Sequence, residues 1–98
     1  MLELVSTPVF ELWIEGLRDR QARQRIAARL TRLQAGNPGD VKSLGDGVSE
    51  LRIDYGPGYR IYFTKRGRLI VLLLCGGDKS TQAKDVKKAT ALAKEWED

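Results

Sequence analysis

Hydrophobic positions along the chain recur first with the period of a helix and then with that of a strand. Phe10, Trp13, Ile14 and Leu17 fall on one face of a short helix. Thr7 and Pro8 mark its start: Thr as N-cap, Pro at the first helical position, where the missing N–H leaves no bond unmade. Gly16 weakens its end. A second helix runs from an N-cap at Asp19 to Ala35 with Ala22, Ile26, Leu30 and Leu33 as its apolar stripe, and Gly36-Asn37-Pro38-Gly39 stops it. So few residues separate the two that an αα-hairpin is expected.

From Asp40 onward the period is two. Val48 to Tyr55 alternates, with Leu51, Ile53 and Tyr55 on one face and Glu50, Arg52 and Asp54 on the other. Gly56-Pro57-Gly58 turns the chain. Tyr59 to Thr64 alternates again, setting Tyr59, Ile61 and Phe63 against Arg60, Tyr62 and Thr64. After the basic turn Lys65-Arg66-Gly67-Arg68, Leu69 to Cys75 is apolar throughout, as in a central strand covered on both faces. The three strands make an antiparallel meander. Gly76-Gly77-Asp78-Lys79 ends the sheet, and Ser80 or Thr81 caps a last helix reaching Trp96, whose core side carries Val86, Ala89, Leu92, Ala93 and Trp96. With a short opening strand, the pattern predicts two helices, three or four strands and a helix: one small α+β domain over residues 1–98.

Composition narrows the chemistry. A single Cys excludes an intramolecular disulfide framework and a Cys-rich zinc site. The absence of His removes the commonest general base near pH 7, the usual catalytic triads and most transition-metal sites, so neither metal nor cofactor is expected. Lys and Arg total 17 against 13 acids, giving a net charge of +4 and an affinity for anionic partners. The N-terminus lacks a basic n-region and apolar run, and Leu69–Cys75 falls far short of the roughly 18–20 residues of a membrane span. A cytoplasmic protein without membrane contact is expected, with Cys75 a reduced, buried packing residue.

Two places offer candidate chemistry. Strand parity puts Glu50 and Arg52 on the same side of the sheet as Arg60 and Tyr62, provided the register permits. Two guanidinium groups and a phenol converging there suit a phosphate, with Lys79 adding charge at the rim. The competing reading is a solvated outer face in which Glu50 pairs with an arginine. On the second helix, Arg25, Arg29 and Arg32 follow i, i+4, i+7 and form a basic ridge, either solvated or facing a nucleic-acid backbone or acidic partner. Gly76-Gly77-Asp78-Lys79-Ser80-Thr81 lacks the P-loop spacing, because Asp78 and not Gly precedes Lys79.

Several segments together resemble a known family. They are Trp13 with Leu17 and Arg18-Asp19; Arg29-Leu30-x-Arg32-Leu33 leading to Gly36-Asn37-x-Gly39-Asp40-Val41-Lys42; Gly45-x-Gly47-Val48-x-Glu50-Leu51-Arg52; Gly56-Pro57-Gly58-Tyr59-Arg60-x-Tyr62-Phe63; and Leu73-Leu74-Cys75-Gly76-Gly77-Asp78-Lys79-x-Thr81-Gln82. Over nearly the whole chain, these resemble the phage-related, HigB-like killer proteins of addiction modules, a branch of the RelE/ParE toxin superfamily.

The resemblance implies a RelE-like α+β fold, with two N-terminal helices on a small antiparallel sheet and a C-terminal helix. It implies a toxin that cleaves mRNA on the ribosome and is neutralised by a cognate helix-turn-helix antitoxin. Operator DNA would be bound only through the toxin–antitoxin complex. Arg60 corresponds to the arginine that holds the scissile phosphate, Arg52 lies near the assisting basic residues, and Lys79 matches a cation that stabilises the transition state. Lys42 matches a lysine placed to contact RNA. Where some RelE-type nucleases carry a Tyr or His acid near the C-terminus, this chain has neither; Asp85 lies near that place, and Tyr62 is the candidate acid. Glu50 or a lysine of lowered pKa would be the base. Two alternatives remain: a non-enzymatic, ParE-like inhibitor of DNA gyrase, and an inactive prophage domain that binds only an antitoxin.

Overall fold

A computed structural model describes residues 1–96. In chain order the elements are β1 (Glu3–Ser6), α1 (Pro8–Gly16), α2 (Arg20–Gln34), β2 (Val41–Gly45), β3 (Val48–Ile53), β4 (Tyr59–Arg66), β5 (Ile70–Gly77), a 3-10 turn (Lys79–Thr81) and α3 (Gln82–Glu95). The hydroxyl of Thr7 caps α1 by accepting from the Phe10 N–H at 3.1 Å, and it donates to the Leu74 carbonyl at 2.6 Å. One buried side chain thus starts the helix and fastens it to β5. Asp19 caps α2 by accepting from the N–H groups of Gln21 and Ala22.

The sheet runs β1-β5-β4-β3-β2. Strands β2 to β5 form the expected meander, lengthened by β2, but β1 pairs parallel to β5. The sheet is therefore mixed, not purely antiparallel. Helices α1 and α2 cross one face, where Phe10, Ile26 and Leu33 pack on Leu51, Ile53, Ile61, Phe63, Val71 and Leu73. Helix α3 covers the other, with Ala89 and Ala93 against Val48, Tyr62, Leu72, Leu74 and Cys75. Small residues on α3 let its backbone come close to the sheet.

A bulge decides how β5 serves both faces. Tyr62 pairs with Cys75 and Phe63 with Leu73, so Leu74 has no register partner on β4 and both Leu74 and Cys75 pack in the α3 cluster. Cys75 is buried, as expected of a packing residue.

Three expectations need correction. Leu69 lies outside β5 and is exposed. Trp96 is 41% exposed and not core: α3 has ended there, and its side chain borders a shallow hollow beside Ile70 and Leu72 at the end of the sheet. The cap before the last helix is Asp78, whose carboxylate accepts from the Ser80 N–H at 2.8 Å and starts the 3-10 turn, while Thr81 makes no capping bond to α3. No helix among the described residues is long and apolar enough to cross a membrane.

Candidate functional site: a cationic cleft at the end of the sheet

The register of β3 with β4 sets Arg52 opposite Arg60 and Glu50 opposite Tyr62, so all four residues share one face. That face is divided by α3. Glu50 and Tyr62 lie beneath the helix and are fully buried, whereas Arg52 and Arg60 reach past its start. A face open to solvent along its length, expected from parity, is therefore open only at one end.

At that end lies a cleft of about 320 Å3 lined by Asp40, Arg52, Ile53, Asp54, Gly58, Arg60 and Lys79. Three cations predicted to act together, Arg52, Arg60 and Lys79, share it. Each is held differently. Arg52 donates from Nη2 to the Asp40 carboxylate at 3.1 Å. Arg60 donates from Nη1 to the Gly58 carbonyl at 2.8 Å, and its Nε lies 3.7 Å from Oε1 of Glu50. Lys79 is placed by the Asp78-capped turn, and its backbone N–H reaches the Pro57 carbonyl at 3.4 Å.

Gly58 makes this convergence possible. Its φ of +79° suits glycine, and an added Cβ would come within 3.2 Å of Arg60 Nη1 and 3.5 Å of Lys79 Cβ. Gly76 and Gly77, at the end of β5, are tighter still. A Cβ on Gly76 would lie 2.3 Å from the Trp13 ring, and one on Gly77 1.8 Å from Oδ2 of Asp85. The paired glycines thus admit an indole on one face of the sheet and a carboxylate on the other; no phosphate loop is needed to account for them.

The remaining candidates separate. Tyr62 is buried away from the cleft, and its phenol is pushed well above the ordinary range, chiefly by burial and then by the charge of Glu50. It does not line the cleft, so the candidate acid is corrected: Tyr62 lies buried apart from Arg52, Arg60 and Lys79. Glu50 is likewise out of reach of a ligand there and touches the cleft only through Arg60. Asp85 is buried too, accepting from the Thr81 hydroxyl. Lys42 is exposed on β2, paired in register with Glu50, and outside the cleft.

The α2 ridge is not uniform. Arg29 clamps three backbone carbonyls, those of Arg52 at 2.5 Å, Pro38 at 3.0 Å and Asp40 at 3.2 Å, and partial burial lowers its guanidinium pKa. It supports the cleft from behind. Arg25 stacks over Tyr55, 4.7 Å from the ring centroid. Arg25 and Arg32 line a second hollow with Arg29, and this hollow shares Ile53 and Asp54 with the first. Cations therefore stand on both sides of the end of β3.

Sequence reasoning missed Asp40 and Gln82 as site residues. Asp40 meets Arg52 through the β2–β3 pairing, and β2 carries no clean alternation to announce itself; Gln82 Nε2 donates to Glu50 Oε1 at 2.7 Å from the first residue of α3. Among the described residues, no three acidic or Cys side chains gather as metal ligands.

Comparison with known proteins gives a consistent placement. The profile of the family described as phage-derived protein Gp49-like (DUF891) matches residues 13–96. A Haemophilus influenzae (strain ATCC 51907 / DSM 11121 / KW20 / Rd) protein, described only as an uncharacterized protein, is 50% identical over 94 residues, covering 96% of this chain and 95% of its own. The matched span contains every residue of the cleft, and the chain belongs to the phage-derived Gp49-like family, a toxin-like family of the RelE/HigB superfamily.

Proposed function

We propose that the protein is the toxin of a type II toxin–antitoxin system and an endoribonuclease that cuts mRNA on the ribosome. The Gp49-like family is associated with toxins of such systems. The observation that carries the nuclease reading is the convergence of Arg52, Arg60 and Lys79 on one cleft. Three fixed cations suit a phosphodiester, and they gain most when its phosphorus carries an extra negative charge in the transition state.

Cleavage uses the adjacent 2′-OH as nucleophile, so the protein aligns that hydroxyl and stabilises charge. Arg60 and Arg52 grip the non-bridging oxygens, and Lys79 gives a proton to the 5′-oxygen as the P–O5′ bond breaks and the 2′-O–P bond forms, leaving a 2′,3′-cyclic phosphate. Asp40, the cleft carboxylate joined to Arg52, takes the proton from the 2′-OH. With Tyr62 and Glu50 buried, Asp40, Asp54 and Lys79 are the cleft-lining groups that can exchange a proton.

Arg25 and Arg32, across the Ile53–Asp54 segment, and Lys42 on the edge strand hold ribosomal or messenger RNA through its phosphates. The fold is read as RelE-like and residues 1–98 as one toxin domain, acting in the cytoplasm. A cognate helix-turn-helix antitoxin neutralises it, and operator DNA is met only in that complex.

A reconstituted translation system tests the reading. Purified protein is expected to cut a defined mRNA when ribosomes translate it and to leave the same free mRNA intact. Translation that stays uncut and undiminished would remove the nuclease assignment; loss of gyrase activity instead would favour the ParE-like alternative.

A further inference from the structure

Beneath the cleft lies a buried polar chain that packing alone does not explain. Glu50 is fully buried, and its Oε2 has no hydrogen-bond partner. Its Oε1 accepts from Gln82 Nε2 at 2.7 Å and stands 3.7 Å from Arg60 Nε. A buried carboxylate with one hydrogen bond is unfavourable, and an apolar side chain of similar size would pack the same space better. The role of the carboxylate is therefore sought in its charged neighbour.

That neighbour is Arg60, whose side chain is only 12% exposed and enters the cleft past Glu50. Among the described residues its guanidinium makes one hydrogen bond, to the Gly58 carbonyl, while its Nε makes none and is held opposite the Glu50 carboxylate by charge alone. Together they restrain the plane of the fork and leave its other donors for a ligand. Glu50 is itself restrained by Gln82, the first residue of α3, which follows the turn that carries Lys79. Lys79 and Gln82 are three residues apart, about one turn of 3-10 helix, so one backbone segment sets both Lys79 and the anchor of Arg60.

We propose that Gln82 and Glu50 are positioning residues for Arg60. The Gln82 amide fixes the buried carboxylate, and the carboxylate holds the guanidinium in the orientation that receives a phosphate. The inference rests on the phosphate-binding reading of the cleft. It does not require that cleavage occur.

The cleanest variant is Gln82→Ala, which changes no charge. The Nε–H resonance of Arg60 in the 15N-labelled full-length protein reports on the fork, and inorganic phosphate is the probe. In the wild type, this resonance is expected to be resolved and to shift as phosphate is added. Gln82→Ala is expected to broaden it and to weaken phosphate binding about fivefold, as loosened positioning does, while the backbone amides of β3 and β4 stay in place. Gln82→Met, which keeps the volume but cannot donate, should behave alike. The exchange Glu50→Gln with Gln82→Glu restores an amide–carboxylate bond but moves the charge away from Arg60, so it should rescue stability without rescuing the resonance.

An unchanged Arg60 resonance and phosphate affinity in folded Gln82→Ala would overturn the proposal. So would full rescue of both by the exchange, since that result belongs to a merely structural bond. Failure of the wild type to cut translated mRNA, with the Arg60 response intact, would remove the nuclease reading and leave this inference standing.

Discussion

Arg52 and Arg60 are register partners across β3 and β4, two like charges placed directly opposite each other on one face of the sheet. Such a pair is unfavourable alone. Each arginine has its own carboxylate: Asp40 at 3.1 Å from Arg52, and Glu50 at 3.7 Å from Arg60. The two acids differ in access. Asp40 is exposed at the rim and Glu50 is sealed beneath α3. One counter-ion is thus accessible from the cleft and the other is not.

Asp40→Asn separates binding from turnover. Removing the rim carboxylate leaves Arg52 without a competing anion, so a non-cleavable RNA oligonucleotide carrying 2′-deoxy at the cut site should bind more tightly. Cleavage of the normal RNA should fall about 100-fold, the size expected for loss of a general base. Because the pair is largely solvent-exposed, the urea midpoint should shift by no more than about 0.5–1 kcal/mol in stability. Equal loss of binding and cleavage would assign Asp40 to substrate binding.

Arg29 and Arg32 should part company in a stability measurement. Arg29→Ala removes three hydrogen bonds to backbone carbonyls, two of them exposed and that of Asp40 still met by the Arg52 N–H, and should cost about 1–2 kcal/mol in urea denaturation. Arg32→Ala removes an exposed charge and should stay within about 0.5 kcal/mol. For RNA binding the order reverses in kind: Arg32→Ala should lower the salt dependence of binding without touching stability.

Much of this arrangement was legible along the chain, and the reasons for the remainder are physical. Thr7-Pro8 and Asp19 announce helix starts because capping is local chemistry, and parity placed Arg52 and Arg60 together because side chains alternate. Parity states which side a residue takes, not what covers that side. Ala89 and Ala93 carry α3 over Glu50 and Tyr62, a long-range event with no signature in β3 or β4. β2 was harder to see, since Lys42 and Ser43 are both exposed and break the alternation. The bulge at Leu74 hid in a run that is apolar at every position.

Gly77→Ala tests the close approach of α3 to the strand end. The added methyl meets the Asp85 carboxylate and Thr81, so the helix start must shift. A loss of about 2–3 kcal/mol is expected, with part of it regained in the double variant Gly77→Ala with Asp85→Ala. Thermal unfolding of the four proteins measures the coupling; strict additivity would show that the two residues do not meet.

The buried thiol gives a pH dependence with a definite sign. Burial, reinforced by Asp85, pushes Cys75 from its ordinary value near 9 up to about 12. The folded state therefore favours the neutral thiol more than the unfolded chain does. That contribution is fully present below pH 9 and is lost as pH rises through 12. Urea midpoints should fall over that window, less steeply in Cys75→Ala. At pH 8 the folded thiol should resist a disulfide reagent and react at the rate of unfolding.

The proposed cutting of mRNA during translation depends on the Arg52–Arg60–Lys79 cleft. Induced expression of the wild type and of Arg60→Ala, with primer extension on translated transcripts, addresses it most directly. Growth arrest with cuts in fixed register to codons is expected for the wild type, and neither for a folded Arg60→Ala. Arrest without cuts, or undiminished cutting by Arg60→Ala, would contradict it.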